Sequence, residues 1–147
     1  MAFDRHDSAG YMTNWAARLF AKSIDKRLSP LDVASGQLPI FFALAGKRQA
    51  TQADLTKIAA IEQPTMAATL NRMEKAGLIA RRPDDADKRR TIVQLTPKAE
   101  EKAQAIREAV ETVNGLALSA LSEPERAAFL DMLNRLCASL ADDVSTD

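Results

Sequence analysis

Apolar residues recur with a helical period along most of the chain and with a strand period over one short stretch. From about Ser8 to Leu28, the residues Tyr11/Met12, Trp15, Leu19/Phe20 and Ile24 fall on one helical face. They predict a long amphipathic helix that breaks at Ser29-Pro30. A second helix is predicted from Gly36 to Leu44, with Ser35 as its N-cap, Pro39 in the permissive first turn and Gly46 closing it. A third is capped by Thr51, because Thr51-Gln52-Ala53-Asp54 is a side-chain variant of the capping-box spacing; its inward face is Leu55, Ile58 and Ala59. The fourth begins at Gln63-Pro64, where proline suits a first helical position. Met66, Leu70 and Met73 give it one buried stripe, and Gly77 ends it.

The pattern then changes. Leu78-Ile79-Ala80-Arg81-Arg82 and Arg90-Thr91-Ile92-Val93-Gln94-Leu95 are short β-type runs around a polar turn, Pro83 to Arg89, which predicts a hairpin with a charged tip. Thr96-Pro97 opens a fifth helix over 97–121, and the capping box Ser122-Glu123-Pro124-Glu125 opens a sixth. Phe129, Leu130, Leu133, Leu136 and Leu140 form the apolar face of that sixth helix. The predicted class is mostly α with a small β-hairpin (α+β). A winged helix–turn–helix core over 35–96 is flanked by helical regions, 1–34 and 97–147. The first, fifth and sixth helices present more apolar surface than a small winged helix can bury, so the flanking regions are expected to form a homodimer.

Composition narrows the function classes. At 147 residues, 46% hydrophobic and 27% charged, the chain is an ordinary globular protein with room for one domain and an interaction element. It begins Met-Ala-Phe-Asp-Arg-His-Asp, with no basic-then-apolar leader and no stretch suited to a bilayer, so no membrane partner is expected and the cytoplasm is the default compartment. A single cysteine, Cys137, excludes an internal disulfide framework and a multi-cysteine zinc site; it is expected as a buried structural thiol. His6 stands alone near the start, and no Cys/His/Asp/Glu cluster has metal spacing, so no metal or cofactor is expected. A Gly-rich phosphate loop, a nucleophile elbow and any other catalytic grouping are missing, which argues against an enzyme.

Net charge is zero, yet its distribution is uneven. Residues 47–98 carry eleven Lys/Arg against six Asp/Glu, while residues 99–147 carry four against ten. A basic middle third beside an acidic end can mark the footprint of a polyanion.

The basic third holds the functional constellation. Two short helices over residues 51–76, joined by Ala60-Ile61-Glu62, have the tight spacing of a helix–turn–helix, whose second helix enters the major groove. Gln63, Pro64, Thr65, Ala67, Ala68, Asn71, Arg72 and Lys75 are its candidate DNA contacts, with Thr51 and Gln52 at the start of the preceding helix. Gln and Asn can bond adenine through both amide atoms, and Ala can touch a thymine methyl. The plainer reading is a helical hairpin with a polar outer face. Arg81, Arg82, Lys88, Arg89 and Arg90 then crowd one β-ribbon, suited to the phosphate backbone or a narrow minor groove. Asp84, Asp85 and Asp87 alternate with them and are expected to orient the arginines through ion pairs. The plainer reading here is a solvated turn.

The run Leu55 to Pro97 resembles the DNA-binding core of MarR-type regulators. The matching pieces are Gln63-Pro64-Thr65, Arg72-Met73-Glu74-Lys75-Ala76-Gly77-Leu78-Ile79, and Asp87-Lys88-Arg89 followed by Leu95-Thr96. The chain departs from that pattern at Ala99, where the family more often has glycine, and at Glu62, where it often has a small hydroxyl residue. The resemblance implies that Gln63 to Arg72 form the recognition helix, that Arg89 is the wing-tip arginine and that Asp87 orients it. It also implies interlocked terminal helices, a dimer on a pseudo-palindromic double-stranded DNA operator, and a repressor released by a small aromatic or anionic effector. Tyr11, Trp15, Phe41 and Phe42 would line the effector cleft, although such aromatics also serve as core and interface. The competing function class is a helical protein–protein interaction module whose winged helix does not read DNA.

Overall fold

The computed structural model describes residues 4–146. Contacts divide the chain into two compact units that meet in sequence between Glu111 and Thr112. The first contains α1 (Ala9–Leu28), α2 (Leu38–Leu44), β1 (Gln49–Thr51), α3 (Gln52–Ala59), α4 (Gln63–Lys75), β2 (Ile79–Pro83) and β3 (Thr91–Leu95), together with α5 (Pro97–Ala117) as far as Glu111. The second contains the end of α5 and α6 (Glu123–Val144).

Helix α1 starts where its cap allows: the Ser8 hydroxyl accepts a hydrogen bond from the Tyr11 amide at 3.2 Å. Only its C-terminal end is buried, through Ile24 and Leu28. The second helix is shorter than its pattern predicts. Ser35 donates its amide and hydroxyl to the Asp25 carboxylate, at 2.7 and 3.2 Å, so it ties the segment to α1 instead of capping α2. Residues Ser35–Gln37 form a 3-10 turn, and the α-helix begins only at Leu38.

The hairpin acquires a third strand. β1 pairs antiparallel with β3 (Gln49 opposite Gln94), and β2 pairs with the other side of β3 (Ile79 opposite Leu95), giving the order β1-β3-β2. Val93 on the central strand is fully buried, as are Leu55 on α3 and Met66, Leu70 and Met73 on α4, so the sheet and the helix–turn–helix share one core. Ile58, predicted to face inward with Leu55, is 63% exposed: it lies on the flank of α3, and packing covers only the Leu55 side.

In the second unit, the end of α5 stops at Ala117, short of the predicted 121. The Arg126 guanidinium takes the carbonyls of Leu118 and Leu121, at 3.1 and 3.0 Å, which gives those groups partners outside a continued helix. The capping box of α6 forms as predicted: Ser122 Oγ accepts from the Glu125 amide, and the Glu125 carboxylate accepts from the Ser122 amide. The helix buries no residue within the single chain, and Leu130, Met132, Leu140 and Val144 are exposed. Cys137, expected to be buried, is exposed on the same helix.

Candidate nucleic-acid interface

The helix–turn–helix is set by local chemistry at both ends of each helix. Thr51 Oγ1 accepts from the Asp54 amide at 3.0 Å, and Asp54 accepts from the Thr51 amide at 3.4 Å. These Thr51 hydrogen bonds hold the Asp54 carboxyl below its ordinary value. Thr51 is buried and its hydroxyl is committed to the cap, so it is structural, which corrects its assignment as a DNA contact. The neighbouring Gln52 is half-buried. α3 ends at Ala60 in the left-handed conformation (φ 51°), where the chain turns into α4.

α4 has two opposed faces. Met66, Leu70 and Met73 are sealed in the core with Thr69, whose hydroxyl bonds back to the Thr65 carbonyl at 2.9 Å. On the opposite face, Pro64, Ala68, Asn71 and Lys75 make an exposed stripe at helical spacing. Thr65 and Arg72 flank it on one side, Gln63 and the half-buried Ala67 on the other; all but Ala67 are exposed. Gly77, at φ 72°, adopts the left-handed turn that stops the helix. Its carbonyl accepts from the Thr96 hydroxyl at 2.6 Å, and that of Ala76 accepts from Lys98 at 3.0 Å, so the start of α5 anchors the end of α4.

The β2–β3 hairpin carries its cations on a folded tip. The Asp84 amide donates to the Arg90 carbonyl and the Arg90 amide to the Asp87 carbonyl, and the Asp84 carboxylate pairs with Arg90 at 3.3 Å. Asp87 takes the Arg89 guanidinium on both oxygens, at 3.1 and 3.2 Å, and the Arg89 amide as well. That pairing holds the Asp87 carboxyl below its ordinary value. Arg89 is nevertheless 90% exposed, and Lys88 stands exposed beside it. The ion pairs expected between the aspartates and the hairpin arginines are present.

Sequence reasoning passed over Gln49 and gave Arg81 no role of its own. Gln49 on β1 accepts from Arg82 at 3.0 Å and donates to Gln94 at 3.0 Å, holding the base of the hairpin. Arg81 donates to the Glu74 carboxylate at 2.9 and 3.1 Å and to Asn71 Oδ1 at 2.7 Å, joining β2 to α4. Nothing in the local pattern distinguishes Gln49 from other polar strand residues, and Arg81 read only as one cation among five.

The four aromatic effector candidates differ in their exposure. Phe41 is a core residue, 3% exposed, which removes it from any open cleft. Phe42 points outward and lines an open groove of about 680 Å³ with Arg48, Gln49, Lys57 and Ile58. Tyr11 is exposed on α1, and Trp15 is half-buried under Arg5, whose guanidinium lies 5.1 Å from the ring centroid. His6 meets the Trp15 ring edge-on at 6.2 Å and so is not isolated. Among the described residues, no helix is long and apolar enough to cross a membrane, and no group of His, Cys, Asp or Glu is arranged to hold a metal ion.

The model of the MarR family matches residues 30–90, the span that contains this interface. The chain is also 33% identical over 96 residues to the HTH-type transcriptional regulator YwoH of Bacillus subtilis, covering 65% of this chain and 69% of that one. The chain belongs to the MarR family. As a MarR-family protein it is a DNA-binding transcriptional regulator, and the reading as a winged helix without DNA falls away. Two solved structures share its fold at low identity. A MarR-family regulator from Listeria monocytogenes in complex with a 26mer DNA aligns with a TM-score of 0.83 at 23% identity, covering 97% of this chain and 92% of that one. The PcaV regulator of Streptomyces coelicolor, in complex with its natural ligand, aligns with a TM-score of 0.85 at 20% identity, covering 95% and 99%.

Proposed function

We propose that this MarR-family regulator is a cytoplasmic homodimeric repressor. It binds a pseudo-palindromic operator through α4 and the β2–β3 wing and is released by a small aromatic or anionic effector. Regulation, not catalysis, is its role. The carrying observation is the two-faced α4: its apolar side is sealed in the core, while its outer stripe consists of small and polar side chains beside a cationic hairpin. Small residues such as Ala68 let a helix backbone lie deep in the major groove, where Gln63, Asn71, Arg72 and Lys75 reach base edges and flanking phosphates. Arg82, Lys88, Arg89 and Arg90 on the hairpin meet the backbone or the minor groove, with Asp87 steering Arg89.

Dimerisation is supported by the exposed apolar side chains of α6 and, separately, by Tyr11 and Leu19 on α1. Two-fold symmetry then places two reading helices about 10 bp apart in successive major grooves. Repression requires only that the bound dimer occupy its operator. An effector releases it by favouring a helix spacing that does not fit DNA, and the PcaV complex supports a ligand-responsive fold. A gel-shift against the promoter beside its own gene tests the reading. Gln63→Ala and Asn71→Ala should weaken that complex and spare random duplex, and a panel of aromatic carboxylates should dissociate the wild-type complex and quench Trp15. Equal loss on both DNAs would remove α4 as the reading helix.

A further inference from the structure

Asn71 lies on the outer stripe of α4, and Arg81 holds it from the neighbouring strand. The Arg81 guanidinium donates to Asn71 Oδ1 at 2.7 Å while it takes both oxygens of Glu74, at 2.9 and 3.1 Å. Asn71 and Glu74 stand three residues apart on one side of α4, so a single planar fork spans them. A guanidinium has donors only, so the amide atom facing it is the oxygen. The second lone pair of Oδ1 and both N–H donors stay available, so the clamp sets the facing of the amide without choosing a base. Pairing with Arg81 holds the Glu74 carboxyl below its ordinary value and raises Arg81 above its own. The ion pair that anchors the fork therefore persists throughout the physiological range. The Arg81 side chain is only 21% exposed, whereas Asn71 is exposed: the clamp is recessed and the clamped amide is presented.

We propose that Arg81 is a positioning residue for DNA recognition: it orders the Asn71 amide before DNA arrives, and the base-specific share of affinity depends on that order. The inference rests on the proposed docking of α4 in the major groove. A free surface asparagine turns about two side-chain torsions and loses that freedom when it meets a base edge, which weakens the contact. Here folding has already ordered the side chain, so less freedom is lost on docking. Phosphate contacts come from other side chains and gain nothing from this order. Removing the fork should therefore weaken specific binding, spare binding to random duplex, and do so only while Asn71 is present.

Fluorescence anisotropy on an operator from the promoter beside its own gene, and on random duplex, tests this. Arg81→Met combined with Glu74→Gln removes the fork without changing net charge, so the long-range attraction to DNA is preserved. This paired variant should bind the operator roughly two- to tenfold more weakly than wild type and random duplex equally well. In an Asn71→Ala background, the same two substitutions should cause no further loss on either DNA. A second measurement needs no DNA: the Asn71 side-chain NH₂ of the wild type should relax in NMR as rigidly as the helix around it, and should loosen in the paired variant. The inference is overturned if the paired variant leaves operator affinity unchanged, if it loses affinity equally on both DNAs, or if its loss persists undiminished when Asn71 is alanine. A wild-type Asn71 amide order parameter below about 0.6 also overturns it. Should the paired variant fail to fold, the wild-type relaxation decides. If Asn71→Ala alone leaves operator binding unchanged, the docking of α4 has failed and the inference falls with it. If Asn71→Ala weakens operator binding and the paired variant does not, the docking stands and the inference alone fails.

Discussion

Replacing Arg89 with alanine isolates the electrostatic share of DNA binding. The Arg89 side chain is 90% exposed, and among the described residues its hydrogen bonds run to Asp87 in the same turn. Its loss should barely move the melting temperature of the free protein, so a change in DNA binding can be read as a change in DNA contact. If each wing neutralises one phosphate, each subunit contributes about 0.9 to the slope of log affinity against log salt, and a dimer about 1.8. Between about 50 and 200 mM salt, that slope difference alters the ratio of wild-type to variant affinity by roughly twelvefold. The deficit of the variant is therefore largest at low salt and shrinks as ions screen the contact. Because a phosphate contact carries no sequence information, the deficit should be the same on operator and random duplex. The assay is fluorescence anisotropy on both DNAs across a salt series. An unchanged affinity and slope would show that the hairpin tip does not meet DNA, whereas a loss confined to the operator would show that Arg89 reads bases.

Gly77→Ala should destabilise the fold by about 1–2 kcal/mol in denaturant unfolding, because its φ of 72° is costly for any residue with a Cβ. Thr51→Ala should cost about 1 kcal/mol by removing the cap of α3. The Asp54 side of the same capping box has a depressed folded pKa. Its contribution is present above the ordinary carboxylate value and lost only as pH falls through the lowered one, so wild-type stability should show no change from this group across roughly pH 5–8. Cys137→Ser should bind operator like wild type before and after mild peroxide, although the thiol is exposed on α6; peroxide sensitivity that vanishes in the variant would reveal redox control. Light scattering at low micromolar concentration should give twice 16.0 kDa, and a clean monomer would refute the dimer.

Local features of the reading surface were legible because their causes are local. Met66, Leu70 and Met73 are buried together since residues three and four apart share a helix face, and Gly77 stops α4 since its backbone tolerates positive φ. The ion pair of Asp87 with Arg89 spans two residues, within reach of sequence spacing alone. The misses were of another kind. Thr51 looked like an available hydroxyl as well as a cap, but only the packing of β1 against β3 shows it to be buried. Ile58 and Phe41 have the same apolar character, yet one faces the groove and the other the core.

The chain by itself determined the helical faces, the caps of α3 and α6, the hairpin and the cationic wing. Each follows from hydrogen bonds and side-chain spacings within about one turn of helix or one strand pair. The tertiary structure decided which polar groups remain free to act. Ser35 is taken by Asp25 ten residues away, Gln49 by Gln94 forty-five residues away, and the Asn71 oxygen is held on one lone pair by Arg81 on the neighbouring strand. A donor or acceptor of suitable type is visible in the sequence, but whether it is already satisfied depends on neighbours that only the folded chain brings within 3 Å or so.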